Sequence, residues 1–125
     1  MDLNEKPNVD QPAGVPPTEL VIEDLVEGDG PEAVNGAVVN VDYVGVSWSD
    51  GSEFDASWNR GETFSFVLGG GQVIPGWDRG VAGMRVGGRR RLTIPPSLAY
   101  GSSGAGGVIG PDETLIFVVD LRSIG

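Results

Sequence analysis

Three carboxylates, Asp50, Glu53 and Asp55, lie close together in the chain. Carboxyl pairs do acid–base work in glycosidases, but there they flank the scissile bond from opposite sides, a placement only the fold can supply. One local acidic cluster beside a turn reads more readily as exposed charge, with a carboxylate-dependent hydrolase as the alternative. The chain contains no histidine and no cysteine. That removes Ser-His-Asp and Cys-His catalysis, disulfides, and thiolate or imidazole metal sites. Glycine is abundant, yet no phosphate loop follows from it. Gly69-Gly70-Gly71 and Gly104-Ala105-Gly106-Gly107 both fail G-x-G-x-x-G, because Ile74 and Ile109 stand where the third glycine belongs. No G-x-S-x-G elbow is present either. The chemistry that remains must use carboxylates, hydroxyls, arginine, the backbone and aromatic rings.

The rings are Tyr43, Trp48, Phe54, Trp58, Phe64, Phe66, Trp77, Tyr100 and Phe117. Aromatics in strands usually form plain core. Two of these fit that reading poorly. Tyr100 lies in a loop rich in glycine, and Trp77 lies in a segment with little intrinsic helix stability.

The elements that must position these residues follow from periodicity. Residues 1–18 carry Pro7, Pro12, Pro16 and Pro17 with no period of two or 3.6, and are expected to be a disordered tail. The domain is expected to span residues 19–125. Leu20 to Glu27 reads as a strand closed by Gly28-Asp29-Gly30-Pro31. Val38 to Val46 alternates, with Val39, Val41 and Tyr43 on one face and Asn40 and Asp42 on the other. Ser49-Asp50-Gly51 predicts a hairpin turn. Phe54 to Trp58 and Phe64 to Leu68 follow as short strands, then Arg89 to Ile94, stopped by Pro95-Pro96. Leu115, Phe117, Val119 and Leu121 make a wholly apolar face and predict a central last strand. Ile74 to Ala82 is the one helix candidate, with Pro75 suited to a first turn. Its interior glycines each cost about 1 kcal/mol relative to alanine, so packing against a sheet must hold it. Strands and helices do not alternate. The layer solution is therefore α+β, an antiparallel sheet of five to six strands on one short α-helix.

The net charge is −10. Residues 1–32 hold nine Asp/Glu against Lys6 alone, while residues 33–125 hold nine against seven Arg. An acidic chain is a poor partner for nucleic acid or an anionic membrane. Arg89-Arg90-Arg91 does not reverse this, since a strand sends its residues to alternate faces and solvated charge is the expected reading. No run approaches the roughly 20 apolar residues of a membrane span. The first residues show no secretory pattern, and a cytoplasmic location is expected.

The order of motifs is the most specific feature. Val41-Asp42-Tyr43-Val44-Gly45, Phe54-Asp55-Ala56-Ser57, Phe64-Ser65-Phe66-Val67-Leu68-Gly69, Val73-Ile74-Pro75-Gly76-Trp77, Gly80-Val81-Ala82-Gly83-Met84, Ala99-Tyr100-Gly101 and Leu115 to Leu121 occur in series. This series resembles the FKBP-type peptidyl-prolyl cis–trans isomerases over roughly Leu20 to Ile124. The resemblance implies a curved antiparallel sheet wrapped on a short helix, with a cleft between them. It implies Trp77 as the cleft floor beneath a proline ring, and Tyr43, Phe54, Phe64, Val73, Ile74, Tyr100 and Phe117 as walls, with Ile109 among the binding residues. Asp55 would be the polar group inside, near Tyr43 and Arg60. The Ile74 N–H and the Tyr100 hydroxyl would hold substrate carbonyls. The long loop differs from better-known eukaryotic members, with Leu98 for a frequent tyrosine and Ala105-Gly106 for a His-Pro tip.

The implied activity is rotation of X–Pro bonds in proline-containing polypeptides, assisting protein folding, by a monomer that needs no cofactor or metal. Macrolides such as rapamycin and tacrolimus are implied ligands. The rival is a binding module that uses the same cleft without turnover. One local conflict calls for a structural device. Phe54 and Asp55 are neighbours, and a regular strand would send them to opposite faces, so a bulge or sharp twist is expected there.

Overall fold

In a computed structural model, which describes residues 2–125, six strands form one antiparallel sheet with one α-helix packed on it. The strands are β1 (Val21–Val26), β2 (Val38–Ser47), β3 (Glu53–Ala56), β4 (Phe64–Val67), β5 (Arg89–Ile94) and β6 (Leu115–Ile124). The helix α1 spans Pro75–Val81. The sheet order is β1-β5-β6-β2-β3, and β4 also pairs with β2. β3 and β4 thus share one edge of β2, β4 along its first half and β3 along its second. Between them the chain leaves the sheet in a 3₁₀ turn, Ser57–Arg60. The expected strand from Phe54 to Trp58 is therefore shorter, because this turn takes over at Ser57.

β6 is central, flanked by β5 and β2. Its residues alternate between two cores. Leu115, Phe117, Val119 and Leu121 join the main core with Val39, Val41, Tyr43, Trp77, Val81, Leu92 and Ile94. Ile116 joins a smaller outer cluster with Val44, Val46 and Ala56. Burial on both faces explains why β6 reads as a nearly continuous apolar run.

The helix lies on β5 at close range. A Cβ on Gly76 would meet Ile94 Cγ2 at 2.4 Å, and one on Gly80 would meet Leu92 Cδ1 at 2.7 Å. The glycines that weaken α1 as a helix are what let it approach the sheet.

The arginine run is not solvated charge. Arg89 and Arg90 are both buried. Arg89 points to the outer face and forms a two-pronged pair with Asp120, at 2.6 and 3.1 Å. Arg90 points the other way, binds Asp24 at 2.7 Å and donates to the Gly80 and Ala82 carbonyls at the C-terminal end of α1. A cation there satisfies helix carbonyls that have no partner within the helix. The alternation expected of a strand holds. Exposure fails because Arg90 lies under the C-terminal end of α1 and the outer face is covered over Arg89. Residues 2–18 contain no helix or strand, but they lie against that face, with Val9 packed on the outer cluster.

Candidate active site

A concave cleft of about 290 Å³ opens between α1 and the sheet, lined by Tyr43, Phe54, Asp55, Phe64, Gln72, Val73, Ile74, Trp77, Tyr100 and Phe117. Elements distant in the sequence, from β2 to β6, meet there. β2 contributes Tyr43, β3 contributes Phe54 and Asp55, β4 contributes Phe64, and β6 contributes Phe117. α1 contributes Trp77, the segment before it Val73 and Ile74, and the long loop before β6 contributes Tyr100.

The rings hold one another edge to face. Trp77 is buried, with Tyr43 at 4.9 Å and 81°, Phe117 at 5.2 Å and 89°, and Phe64 at 6.0 Å and 78°. Phe54 meets Phe117 at 5.5 Å and 88°. Such arrangements set the positive edge of one ring against the negative face of another and fix both. Among the described residues the buried Trp77 Nε1 donor has no hydrogen-bond partner.

Gly45 makes the Phe54–Phe117 contact possible. A Cβ at this position would lie 2.6 Å from both Phe117 Cε1 and Phe54 Cζ. Its place in the alternation of β2, two residues after Tyr43, is a signal that a side chain is missing from the inward face.

The expected irregularity at Phe54 is present. Gly45 pairs with Asp55 and Val46 with Glu53, so Phe54 is an extra residue in β3. This bulge brings Phe54 and Asp55 to one cleft.

One corner of the cleft is polar. The Tyr43 hydroxyl donates to Asp55 Oδ2. Arg60, in the 3₁₀ turn, donates from Nη1 to Asp55 Oδ1 at 2.8 Å and from Nη2 to the Tyr43 hydroxyl oxygen at 2.8 Å. The three groups close a triangle. Burial works to raise the Asp55 carboxyl, but hydrogen bonds from Tyr43 and Arg60 outweigh it and hold the group below its ordinary value. Tyr43 is raised by burial and by the Asp55 acceptor, against the pull of Arg60. Tyr100 is raised by burial and by the charge of Asp55. The corner is therefore a fixed anion held by neutral and cationic donors.

Arg60 reaches the cleft only through Asp55 and Tyr43. Ile109 is not on its lining: it is buried in the main core and pairs with Ala105 across the long loop. The loop turns its apolar residue inward to satisfy the core, so Ile109 supports the rim from beneath. Gln72 lines the cleft and was not singled out by residue type; its Oε1 accepts the Val67 N–H at 2.9 Å. Asp78, beside Trp77, accepts the Gly69 N–H at 2.9 Å and the Gly71 N–H at 3.1 Å. It ties the loop that carries Gln72, Val73 and Ile74 to the helix that carries the floor. Asp50 and Glu53 do not face the cleft. Asp50 caps its own turn through Ser52, and Glu53 pairs with Lys6. Among the described residues no acidic cluster could hold a metal ion.

Comparison with known proteins agrees with this geometry. The family model of the FKBP-type peptidyl-prolyl cis-trans isomerases matches residues 30–122. An FK506-binding protein of Streptomyces anulatus is 63% identical over 121 residues, covering 96% of this chain and 98% of that protein. A probable FK506-binding protein of Corynebacterium glutamicum is 50% identical over 119 residues, covering 95% of this chain and 98% of its own length. The crystal structure of AtFKBP13 superposes with a TM-score of 0.80 at 41% identity, covering 89% of this chain and 97% of that one. That of FkpA from Escherichia coli gives 0.76 at 44% identity, over 84% of this chain and 47% of that one. With the fold, the aromatic cleft and these relatives in agreement, the chain belongs to the FKBP-type peptidyl-prolyl cis–trans isomerases.

Proposed function

We propose that the cleft seats the proline ring of an extended polypeptide on Trp77 and lowers the barrier to rotation of the preceding peptide bond without forming any covalent bond to it. The observation that carries this reading is a buried aromatic floor beside a single fixed polar corner. Rotation about an amide bond meets a barrier of about 18–20 kcal/mol because resonance holds it planar. In the twisted state that resonance is lost, the nitrogen becomes pyramidal and the carbonyl more ketone-like. No bond is made or broken, so no nucleophile is needed. A cleft that strips water from the planar, polar ground state and holds the ring favours the twisted geometry. The Ile74 N–H and the Tyr100 hydroxyl are the donors assigned to the flanking substrate carbonyls. The Tyr43–Asp55–Arg60 triangle is the polar group that faces the rotating bond.

The substrates of this reading are proline-containing segments of unfolded or partly folded proteins, whose uncatalysed exchange takes tens to hundreds of seconds. Tacrolimus and rapamycin are the expected small-molecule competitors. The test is relaxation of a cis X–Pro peptide with catalytic amounts of the protein and with a macrolide titrated in. Trp77→Ala and Asp55→Val are each expected to lower kcat/KM by at least about tenfold while thermal melting stays cooperative. No acceleration by the wild-type chain at micromolar concentration would overturn the reading. Wild-type activity that neither substitution alters would overturn the site.

A further inference from the structure

The outer face of the sheet lies away from the cleft, yet residues 2–14 are fastened to it at several points, and some of these contacts reach residues next to the cleft lining. Lys6 Nζ pairs with Glu53 Oε1 at 2.8 Å and donates to Asn59 Oδ1 at 3.0 Å. Asn59 closes the cluster through Nδ2 to Glu53 Oε2 at 3.0 Å. Glu53 immediately precedes Phe54 and Asp55, and Asn59 immediately precedes Arg60.

A second line of contact runs through the sheet. Arg122 donates from Nη2 to the Leu3 carbonyl at 2.6 Å and from Nε to Asp42 Oδ2 at 3.0 Å. The other Asp42 oxygen accepts the Ser57 hydroxyl at 2.8 Å, and Ser57 Oγ accepts the Tyr43 N–H at 2.8 Å. Val9 fills the outer cluster beside Ala56 and Trp58, which belong to the same wall. Further along, Gln11 donates to the Ser49 carbonyl at 3.1 Å.

The charge pattern argues that these contacts are specific. Segment and body are both net negative, so diffuse electrostatics would separate them. The two arginines that face the segment bind its backbone carbonyls rather than its carboxylates. Its one cation is Lys6, the only lysine in the chain, and it meets Glu53, the carboxylate that immediately precedes Phe54.

We propose that residues 2–14 are a positioning strap for the isomerase reaction, in which Lys6, pinned to Glu53 and Asn59, fixes the β3–Arg60 wall from behind and so sets the Tyr43–Asp55–Arg60 corner. The inference rests on the assigned use of that corner in catalysis. Lys6 is a positioning residue: it touches neither substrate nor the reacting bond.

The test compares the full-length wild type with Lys6→Arg, Lys6→Glu, Glu53→Lys and the double swap Lys6→Glu/Glu53→Lys. Turnover of an X–Pro peptide and amide hydrogen exchange at Tyr43 are measured well below the melting transition. Each single charge reversal is expected to lower kcat/KM by roughly two- to fivefold, the reach of a partly exposed pair. Tyr43 exchange should quicken in the same variants with no substrate present. Lys6→Arg should retain wild-type values and the double swap should recover most of them. A purely structural strap would lower the melting temperature and leave kinetics and Tyr43 protection in the folded protein unchanged, and that result overturns the proposal. A wild type without turnover would instead refute the isomerase reading, while the exchange measurement would still decide whether the strap reaches the corner.

Discussion

Asp55 is half-exposed, and its ionisation rests on two donors rather than on solvent. Because its folded value is depressed, the stabilisation from this charge is fully present above the unfolded value of about 3.8 and is lost as pH falls through the folded one. Tyr43 is shifted the other way and stays protonated, and so remains a donor, through neutral pH and beyond its ordinary range. No histidine or cysteine lies anywhere in the chain to titrate between these limits. The expected pH profile of kcat/KM is flat through neutrality and the mildly acidic range, falling only where the pH drops below the ordinary carboxylate range and Asp55 protonates. A bell centred near neutrality in a pH series on an X–Pro peptide would contradict this. At this scale the sequence was informative where chemistry depends on residue type. The missing His and Cys ruled out whole mechanisms, and the ordered motifs pointed to the aromatic lining. It was uninformative where position depends on what lies underneath. Ile109 has the same composition whether it faces the cleft or the core, and only the packing of the long loop turns it inward. Gln72 acts through its side-chain oxygen, which accepts a backbone N–H, and Gly45 through an absent side chain, and residue type alone advertises neither.

Among the elements, the short helix and the loop before it form one unit. α1 places Trp77 under the cleft, and Asp78 draws the Gly69–Gly71 turn back onto the helix. Without that carboxylate two amides lose a charged acceptor, and the segment bearing Val73 and Ile74 is held by fewer contacts. Asp78→Ala is expected to raise KM by about five- to tenfold with a smaller change in kcat, and Asp78→Asn to restore part of the loss. Steady-state kinetics on a series of X–Pro peptides checks the split. Periodicity found this helix and its dependence on packing, and the neighbouring pair Phe54-Asp55 forecast the bulge in β3. The strand expected from Phe54 to Trp58 takes in the first two residues of the 3₁₀ turn Ser57–Arg60, because Ser-Trp-Asn-Arg carries no breaker until Gly61. What selects the turn is the hydrogen bonding of Ser57 to Asp42 and to the Tyr43 N–H, a contact from another strand.

For the molecule as a whole, the sheet has two buried faces of unequal kind. The helix side is apolar apart from Arg90 at the end of α1, whereas the outer side encloses the Arg89–Asp120 pair, with side chains only 3% and 1% exposed. Removing one member leaves the other charged, buried and unpaired. Asp120→Ala is expected to destabilise the fold by about 3–5 kcal/mol, read from chemical denaturation, while replacing both residues by apolar ones of similar volume costs much less. The apolar alternation of β6 makes a central strand legible, but the Arg89–Arg91 run of β5 reads as solvated, because nothing in the composition of residues 2–18 says that they cover Arg89.

The break between β3 and β4 has a consequence for how this molecule meets other chains. An unbroken edge along β2 would offer a row of free amides and carbonyls on which a foreign strand could register. Here the edge is two strands of four residues each, separated by a turn that leaves the plane of the sheet. The opposite edge, β1, presents Glu23 and Asp24 between its apolar residues, and its own pairing slips between Asp24 and Val26. Neither margin of the sheet is therefore long or regular enough to seed co-aggregation with an extended polypeptide of the kind the cleft is proposed to seat.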